Sequence, residues 1–350
     1  MYLPNTEMPV VFLLKLFLIV LSYWIVEGAF NQLVRLHGYE KARKVLRNLK
    51  AIYISHLHAD HHLGLINLVL EREKSFHEIN EEPSRLYILA PARIANYLSI
   101  YHQNFQPILT DLDHIRNEYL LHINPGNQIQ NAQMLYPEAK KKLLEHVQLK
   151  SIKTCRVYHC PNAFGVSLTS LDGYKIVYSG DTRPTDNLID LGKDGETTDL
   201  LIHEATMEHH MLEDCKVKRH TTFTESIEIA QKMEAKNAIM THFSQRYSKI
   251  PPLEEFEVAD NVGIAFDFTT VAPNTIDVIR QTYPSLKLLF KEAIDDVVKK
   301  KTFFKFKRID QAIEASLNIE ETFGDEPAEI DGNKPKRAKV SGNFSKKYVK

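Results

Sequence analysis

Five short apolar runs in this 350-residue chain end in histidine or acid, and that repeated ending constrains the fold more than any other feature. The runs are AIYIS (51–55), CRVY (155–158), IVYSG (176–180), DLLI (199–202) and AIMT (238–241). They lead in turn into a His-rich cluster at 56–61, into His159, Asp181, His203 with Glu204, and His242. Short, mostly apolar runs of this length read as strands. In open α/β sheets, ligands bind in the crevice beyond the strand carboxyl ends. Five such ends carrying metal-ligating side chains therefore point to a single site.

The intervening sequence supports an α/β chain. HLGLINLVLERE (62–73), PARIANYLSIYHQ (91–103) and PEAKKKLLEHV (137–147) have helical periodicity, with Pro91 placed to open the second. TTFTESIEIAQKMEA (221–235) reads as an amphipathic helix capped by Thr and Ser hydroxyls. RLYILA (85–90) is a buried strand, and 153–180 forms a strand-rich block with Asp172-Gly173 as its hairpin turn. NAIMTHFS (237–244) is expected to close the strand series. Helices are expected on both faces of mixed sheets.

Charge excludes a globally basic nucleic-acid binder. Lys and Arg total 44 against 45 Asp and Glu, so any polyanion must be held by local patches. Three cysteines, Cys155, Cys160 and Cys215, are too few for a disulfide framework and fit a reducing compartment.

Spacing sorts the first cluster. His56 and His58 lie two apart in an extended turn and project to one side. Asp60 and His61 fall where the next helix begins and point to a neighbouring position, which favours two metals over one. Imidazole with carboxylate suits zinc, and a shared carboxylate can bridge two ions. Asp181 is the natural bridge, as the acid of an SGDT turn whose glycine admits close backbone approach. His62 and His203 are expected to face the core or solvent, and His209 and His210 to lie in a loop. Cys160 is expected to be a small buried residue, and His77, His102, His114, His122 and His146 surface groups.

HLHADH (56–61) resembles the HxHxDH signature of the metallo-β-lactamase superfamily. HCPNAFG (159–165), SGDTRP (179–184), LLIHEAT (200–206), RHTTFTESIEIA (219–230) and THFSQRYSKIP (241–251) follow in the order and style of the tRNase Z family, most like the catalytic half of its long eukaryotic form. The resemblance spans about residues 28–275 and implies an αββα sandwich and an endoribonuclease that removes 3′ trailers from precursor tRNA. It implies one zinc on His56, His58 and His159 and a second on Asp60, His61 and His242, with Asp181 between them. Asp60 would orient or deprotonate the attacking water. His220, paired with Glu204, would protonate the leaving 3′-oxygen, since a carboxylate partner favours the charged imidazole. Arg246, Thr221 and Thr222 would contact phosphate or the RNA 3′ end.

The chain also departs from that family. The half bearing the flexible arm that grips tRNA is missing, and the first strands of the catalytic half are missing or replaced by residues 1–27. Within that stretch PVVFLLKLFLIVLSYWIV (9–26) is long enough for a membrane anchor or a buried hydrophobic segment. Its Lys15 would cost a membrane span ~2.5–3.5 kcal/mol. A truncated isoform, an intron read as coding sequence, or a membrane-tethered variant would each give this pattern. The expected organisation is the atypical segment 1–27, a catalytic domain at 28–310, and an acidic then basic, disordered tail at 311–350. The basic end of that tail, KPKRAKVSGNFSKKYVK (334–350), suits a nuclear signal or a solvated terminus, and the family implies nucleus or mitochondrion. A homodimer is compatible with the family. The alternative to the nuclease is a weakly active or non-catalytic isoform acting as a regulatory partner.

Overall fold

The computed structural model describes residues 17–19, 25–122, 137–245, 247, 259–265, 269, 276–292, 294–295 and 299. By internal contacts the chain divides into two units, Met1–Asp295 and Asp296–Lys350. The expected tail at 311–350 lies outside the described residues.

The first unit is built on two sheets. One contains β1 (Phe17–Ile19), β2 (Ala51–Tyr53), β3 (Leu86–Ala90) and β4 (Leu112–Arg116), all parallel and in that order. The other has the order β10-β9-β8-β7-β6-β5, from β10 (Val262–Ile264), β9 (Asn237–Thr241), β8 (Leu200–Glu204), β7 (Lys175–Tyr178), β6 (Phe164–Ser170) and β5 (Leu149–Arg156). β7 to β10 run parallel, while β6 is antiparallel to both its neighbours. β5 consequently runs the same way as β7, β8 and β9, and these four strands end on one rim.

Side-chain alternation assembles the layers. Ala51, Tyr53 and Leu89 of the first sheet meet Ile176, Tyr178, Leu200, Ile202 and Ile239 of the second in a shared buried core. Ile52, Ile54, Leu86, Ile88 and Ala90 face the other way. They pack against α1 (Ile25–His37), α2 (Tyr39–Asn48), α4 (Leu65–His77) and α5 (Ile94–Asn104). On the outer face of the second sheet, α7 (Asp186–Lys193) lies against α9 (Phe223–Met233), with Gly192 leaving room for Met233. The architecture is the αββα sandwich.

Several local expectations change. The helical run at 62–73 breaks into α3 (Ala59–His62) and α4, so His62 closes a short helix and begins none. Pro91 leads a turn, its carbonyl accepting from Ile94 N at 3.0 Å, and α5 starts only at Ile94. The strand series does not close at β9, because β10 adds a further parallel strand. α6 (Pro137–Val147) and the α9 capping box, in which Thr222 and Glu225 bond reciprocally, match the sequence reading. The edge where strands were expected to be missing carries β1, which pairs Phe17 with Ala51. Residues 1–16 and 20–24 lie outside the described residues, and among those described no helix is long and apolar enough to cross a membrane.

Candidate metal centre

The loop leaving β2 is tied to the second sheet before it delivers any histidine. Phe164 N donates to Ser55 O at 3.0 Å, and the Tyr53 hydroxyl donates to Phe164 O at 2.9 Å. Gly180, at φ +61°, lies so close that a Cβ there would be 2.9 Å from Ser55 Cβ. Two strand ends are thus held face to face, with His56 on one and Asp181 on the other.

Four imidazoles converge on one oxygen. Asp181 Oδ2 lies 3.2 Å from His242 Nε2, 3.4 Å from His61 Nε2, 3.6 Å from His56 Nε2 and 3.8 Å from His159 Nε2. Two donors each about 2.0–2.1 Å from one tetrahedral ion stand roughly 3.3 Å apart, close to the shorter of these distances. His58, more exposed, brings its Nδ1 within 3.0 Å of His159 Nε2. Asp60, with 51% of its side chain exposed, places Oδ2 3.5 Å from His61 Nε2. The ligand atoms group as His56, His58, His159 and Cys160; as His56, His61 and Asp181; and as Asp60, His61 and His242. All seven metal positions expected from sequence come together. Cys160 joins them half-buried instead of retiring into the core.

The donor chemistry fits a cation. His56 Nε2, both nitrogens of His61 and Asp181 Oδ1 are buried with no hydrogen-bond partner among the described residues, a costly arrangement unless something else is bound. The remaining ring nitrogens are fixed from behind. His56 Nδ1 meets Ser55 Oγ at 3.0 Å, His159 Nδ1 meets Arg219 O at 2.9 Å, and His242 Nδ1 meets Thr206 Oγ1 at 2.9 Å. Such outer bonds set ring orientation and tautomer in metal-ligating histidines. Burial lowers the pKa of His56 to about 2 and depresses those of His58 and His159, holding them in the neutral form that ligates. Burial also works against a charge on His242, but Asp181 and Glu204 outweigh it and raise its pKa to about 9. His242 itself sits in the left-handed region at φ +63°, a strained backbone of a kind found at functional sites.

Beside this cluster lies a second one, organised by Glu204. The carboxylate is buried and accepts four bonds: from Thr182 N (2.6 Å) and His220 Nδ1 (2.9 Å) on Oε1, and from Thr206 Oγ1 (2.6 Å) and Thr221 N (3.1 Å) on Oε2. Burial opposes its charge, yet His220 and His242 hold its pKa below the ordinary value. With Nδ1 bound to Glu204, His220 keeps Nε2 for the cleft, its ring centre 4.8 Å from that of His159 and 5.1 Å from that of His242.

Two expectations for substrate contact fail. Thr221 and Thr222 are fully buried; the Thr221 hydroxyl donates to Thr182 O at 2.5 Å, and that of Thr222 caps α9. Both hydroxyls are engaged within the fold. Arg246 lies outside the described residues. Among the other histidines, His203 is in the core with Nδ1 2.6 Å from Glu204 O, and His209 opens a short 3-10 turn with His210. His102 Nδ1 accepts from Ile108 N and Leu109 N, and His114 is half-buried against Ala90 O, so neither is a plain surface group. Sequence reasoning missed Thr206, which links Glu204 to His242, and Arg183, which grips both His220 O at 2.7 Å and the Glu225 carboxylate. The signal for Arg183 was a cation directly after SGDT, where a buried turn has little room for an unpaired charge.

This sandwich, with its ligand crevice at one rim, is matched over residues 25–243 by the family described as "Beta-lactamase superfamily domain", and the chain belongs to that family. Within it the similarity is to ribonuclease Z proteins. The chain is 38% identical over 276 residues to "Ribonuclease Z, mitochondrial" of Drosophila melanogaster, covering 77% of this chain and 33% of the other. It is 38% identical over 279 residues to "Zinc phosphodiesterase ELAC protein 2" of Rattus norvegicus, covering 79% and 32%. The crystal structure of a long form RNase Z from yeast superposes with a TM-score of 0.60 at 30% identity, over 70% of this chain and 35% of that one. The chain spans about a third of the length of the curated relatives it matches.

Proposed function

We propose that this chain is a zinc-dependent endoribonuclease that removes 3′ trailers from precursor tRNA, hydrolysing a phosphodiester to leave a 3′-hydroxyl on the tRNA. The convergence of four imidazole Nε2 atoms on Asp181 Oδ2 carries the reading, and the similarity to proteins named ribonuclease Z supports the substrate. Two zinc ions are proposed, one on His56, His58 and His159 and one on Asp60, His61 and His242, with Asp181 shared. When bound, zinc supplies an acidified water and charge neutralisation at the phosphate.

The chain's own groups do the rest. Asp60, exposed on the cleft side, orients the attacking water and accepts its proton. His220 delivers a proton from Nε2 to the departing 3′-oxygen, while Glu204 holds Nδ1 and with it the tautomer and the ring direction. Thr182 N, Thr206 and Thr221 N fix Glu204 in turn. The catalytic domain is proposed to span 28–310, with an acidic then basic tail at 311–350. Nucleus and mitochondrion are the proposed compartments, the second from the mitochondrial relative.

The test is cleavage of a 3′-extended precursor tRNA by the purified chain, with and without chelator, alongside His58→Ala and His220→Ala. Cleavage is expected to stop in chelator and return with zinc. His58→Ala is expected to lower metal content. His220→Ala should keep its metal and lose roughly 10²–10⁴-fold in rate, the usual contribution of a positioned acid. A metal-loaded chain that cleaves no precursor under any condition would overturn the proposal.

A further inference from the structure

Tyr158 and Arg219 stand next to the two functional histidines, His159 and His220, and neither side chain is used above. Tyr158 leaves 58% of its surface exposed, although its backbone is pinned. Its N–H donates to Thr182 Oγ1 at 3.1 Å, and its carbonyl accepts from Arg183 N at 2.8 Å. Folding gains little from holding a large ring in water. Arg219 is also exposed, and its guanidinium carbon lies 5.3 Å from the Tyr158 ring centre.

The two are locked to the site from both sides. His159 Nδ1 donates to Arg219 O at 2.9 Å, and Arg219 Nη1 donates back to His159 O at 2.6 Å. Arg219 also closes α8 (Leu212–Lys218) at φ 60° and ψ 45°. Glycine is the usual residue in that left-handed position, and any other side chain costs about 1–2 kcal/mol there. A long cation held in a glycine conformation, beside an exposed ring on a rigid backbone, amounts to a flat, positive platform on the lip of the cleft.

From this geometry we infer that Tyr158 and Arg219 form a nucleobase-stacking subsite, taking the base immediately 5′ of the cut. The inference rests on the nuclease reading above. The assignment to the 5′ side follows from position. Arg219 is bonded next to His220, the proposed proton donor to the 3′-oxygen, and that oxygen belongs to the nucleotide 5′ of the scissile phosphate. The aromatic face takes any base, while the guanidinium stacks or meets the adjoining phosphate. Lys218, exposed one residue earlier, adds to the positive lip.

The experiment compares 3′-extended RNA carrying a base, or an abasic nucleotide, immediately 5′ of the cut. Both are cleaved by the unsubstituted chain, Tyr158→Ala and Tyr158→Phe. Tyr158→Ala is expected to raise KM for the base-bearing RNA about 5- to 150-fold, the range of one base–aromatic stack, with a smaller effect on kcat. Tyr158→Phe is expected to restore it. Removing the base should cost the unsubstituted chain a similar factor and cost Tyr158→Ala much less, because the ring that stacked it is gone. Equal abasic penalties in both proteins overturn the subsite and leave the nuclease standing. No cleavage by the unsubstituted chain overturns the nuclease reading and the subsite with it.

Discussion

Replacing Glu204 with glutamine alters one heavy atom, yet no placement of the amide satisfies the site. Each carboxylate oxygen accepts from one backbone N–H: Oε1 from Thr182 at 2.6 Å, and Oε2 from Thr221 at 3.1 Å. The Thr206 hydroxyl can rotate to accept and His220 can change tautomer, but a backbone N–H can only donate. Whichever oxygen becomes NH₂, a buried donor then faces a donor. An orphaned buried group costs about 1–3 kcal/mol, and the three surviving bonds fall from charge-assisted to neutral strength, roughly 1 kcal/mol each. Release from burying the charge offsets part of this. Because the folded protein holds the Glu204 pKa below its ordinary value, the ionised form is favoured on balance, and losing it is a net cost. The expected loss is about 2–5 kcal/mol. Urea unfolding of Glu204→Gln and the unsubstituted chain, both metal-free to remove ligand linkage, measures it. Hydrogen exchange should speed at Thr182 or Thr221. A loss below about 1 kcal/mol, with both amides still protected, would refute the account of Glu204 as the hub.

Other expectations follow from the same geometry. Gly180→Ala places a Cβ 2.9 Å from Ser55 Cβ and 3.0 Å from Phe164 O at φ +61°. Strain and overpacking together should cost about 2–4 kcal/mol and lower metal content by displacing Asp181; an unchanged melting temperature and zinc content would contradict this. Arg183→Met leaves the Glu225 carboxylate and the His220 carbonyl without their shared partner. With both charged side chains mostly buried, at 13% and 15% exposure, the loss should be about 2–3 kcal/mol, below the fully buried range. A cycle with Glu225→Gln isolates the pair, and a coupling near zero would sink it. Burial lowers the pKa of His114, so on acidification the unfolded chain takes up that proton first. The His114 contribution to the stability of the metal-free protein should then be full above about pH 6.5 and fall below it, so the difference in stability between the unsubstituted chain and His114→Gln should change over that window in urea melts run from pH 7.5 to 5.

Four of the strands that carry ligands, β2, β7, β8 and β9, were legible because they are buried along nearly their whole length and read as apolar runs, whereas β5 alternates buried and exposed residues. β4, LDHIR, escaped notice for the opposite reason: Leu112, Asp113 and His114 are only partly buried, so its pattern resembles a loop. β10 is three residues, VGI, too short for any period to show. The seven proposed ligands were readable from residue type at strand ends, where chemistry and position coincide. The groups behind them were not. Thr206 reaches His242, Arg183 reaches His220 and Glu225, and Arg219 reaches His159 through bonds that span 36 to 60 positions, and linear spacing holds no trace of such pairings. Thr221 and Thr222 show the converse error, since hydroxyls next to a functional histidine looked like substrate contacts and turned out to be packing and capping groups.

His58 and His159 touch at 3.0 Å although 101 residues separate them, and Ser55 meets Phe164 across the same seam. The centre is therefore a joint between two layers that fold from different stretches of chain. Contacts of such long range form late, because closing the intervening loop comes before any reward. A cation captured there acts as a removable cross-link between the sheets, and its binding energy becomes folding energy. Stripping it should loosen the whole sandwich as one unit, well beyond the cleft, and on refolding zinc uptake should mark the moment at which both halves have come together.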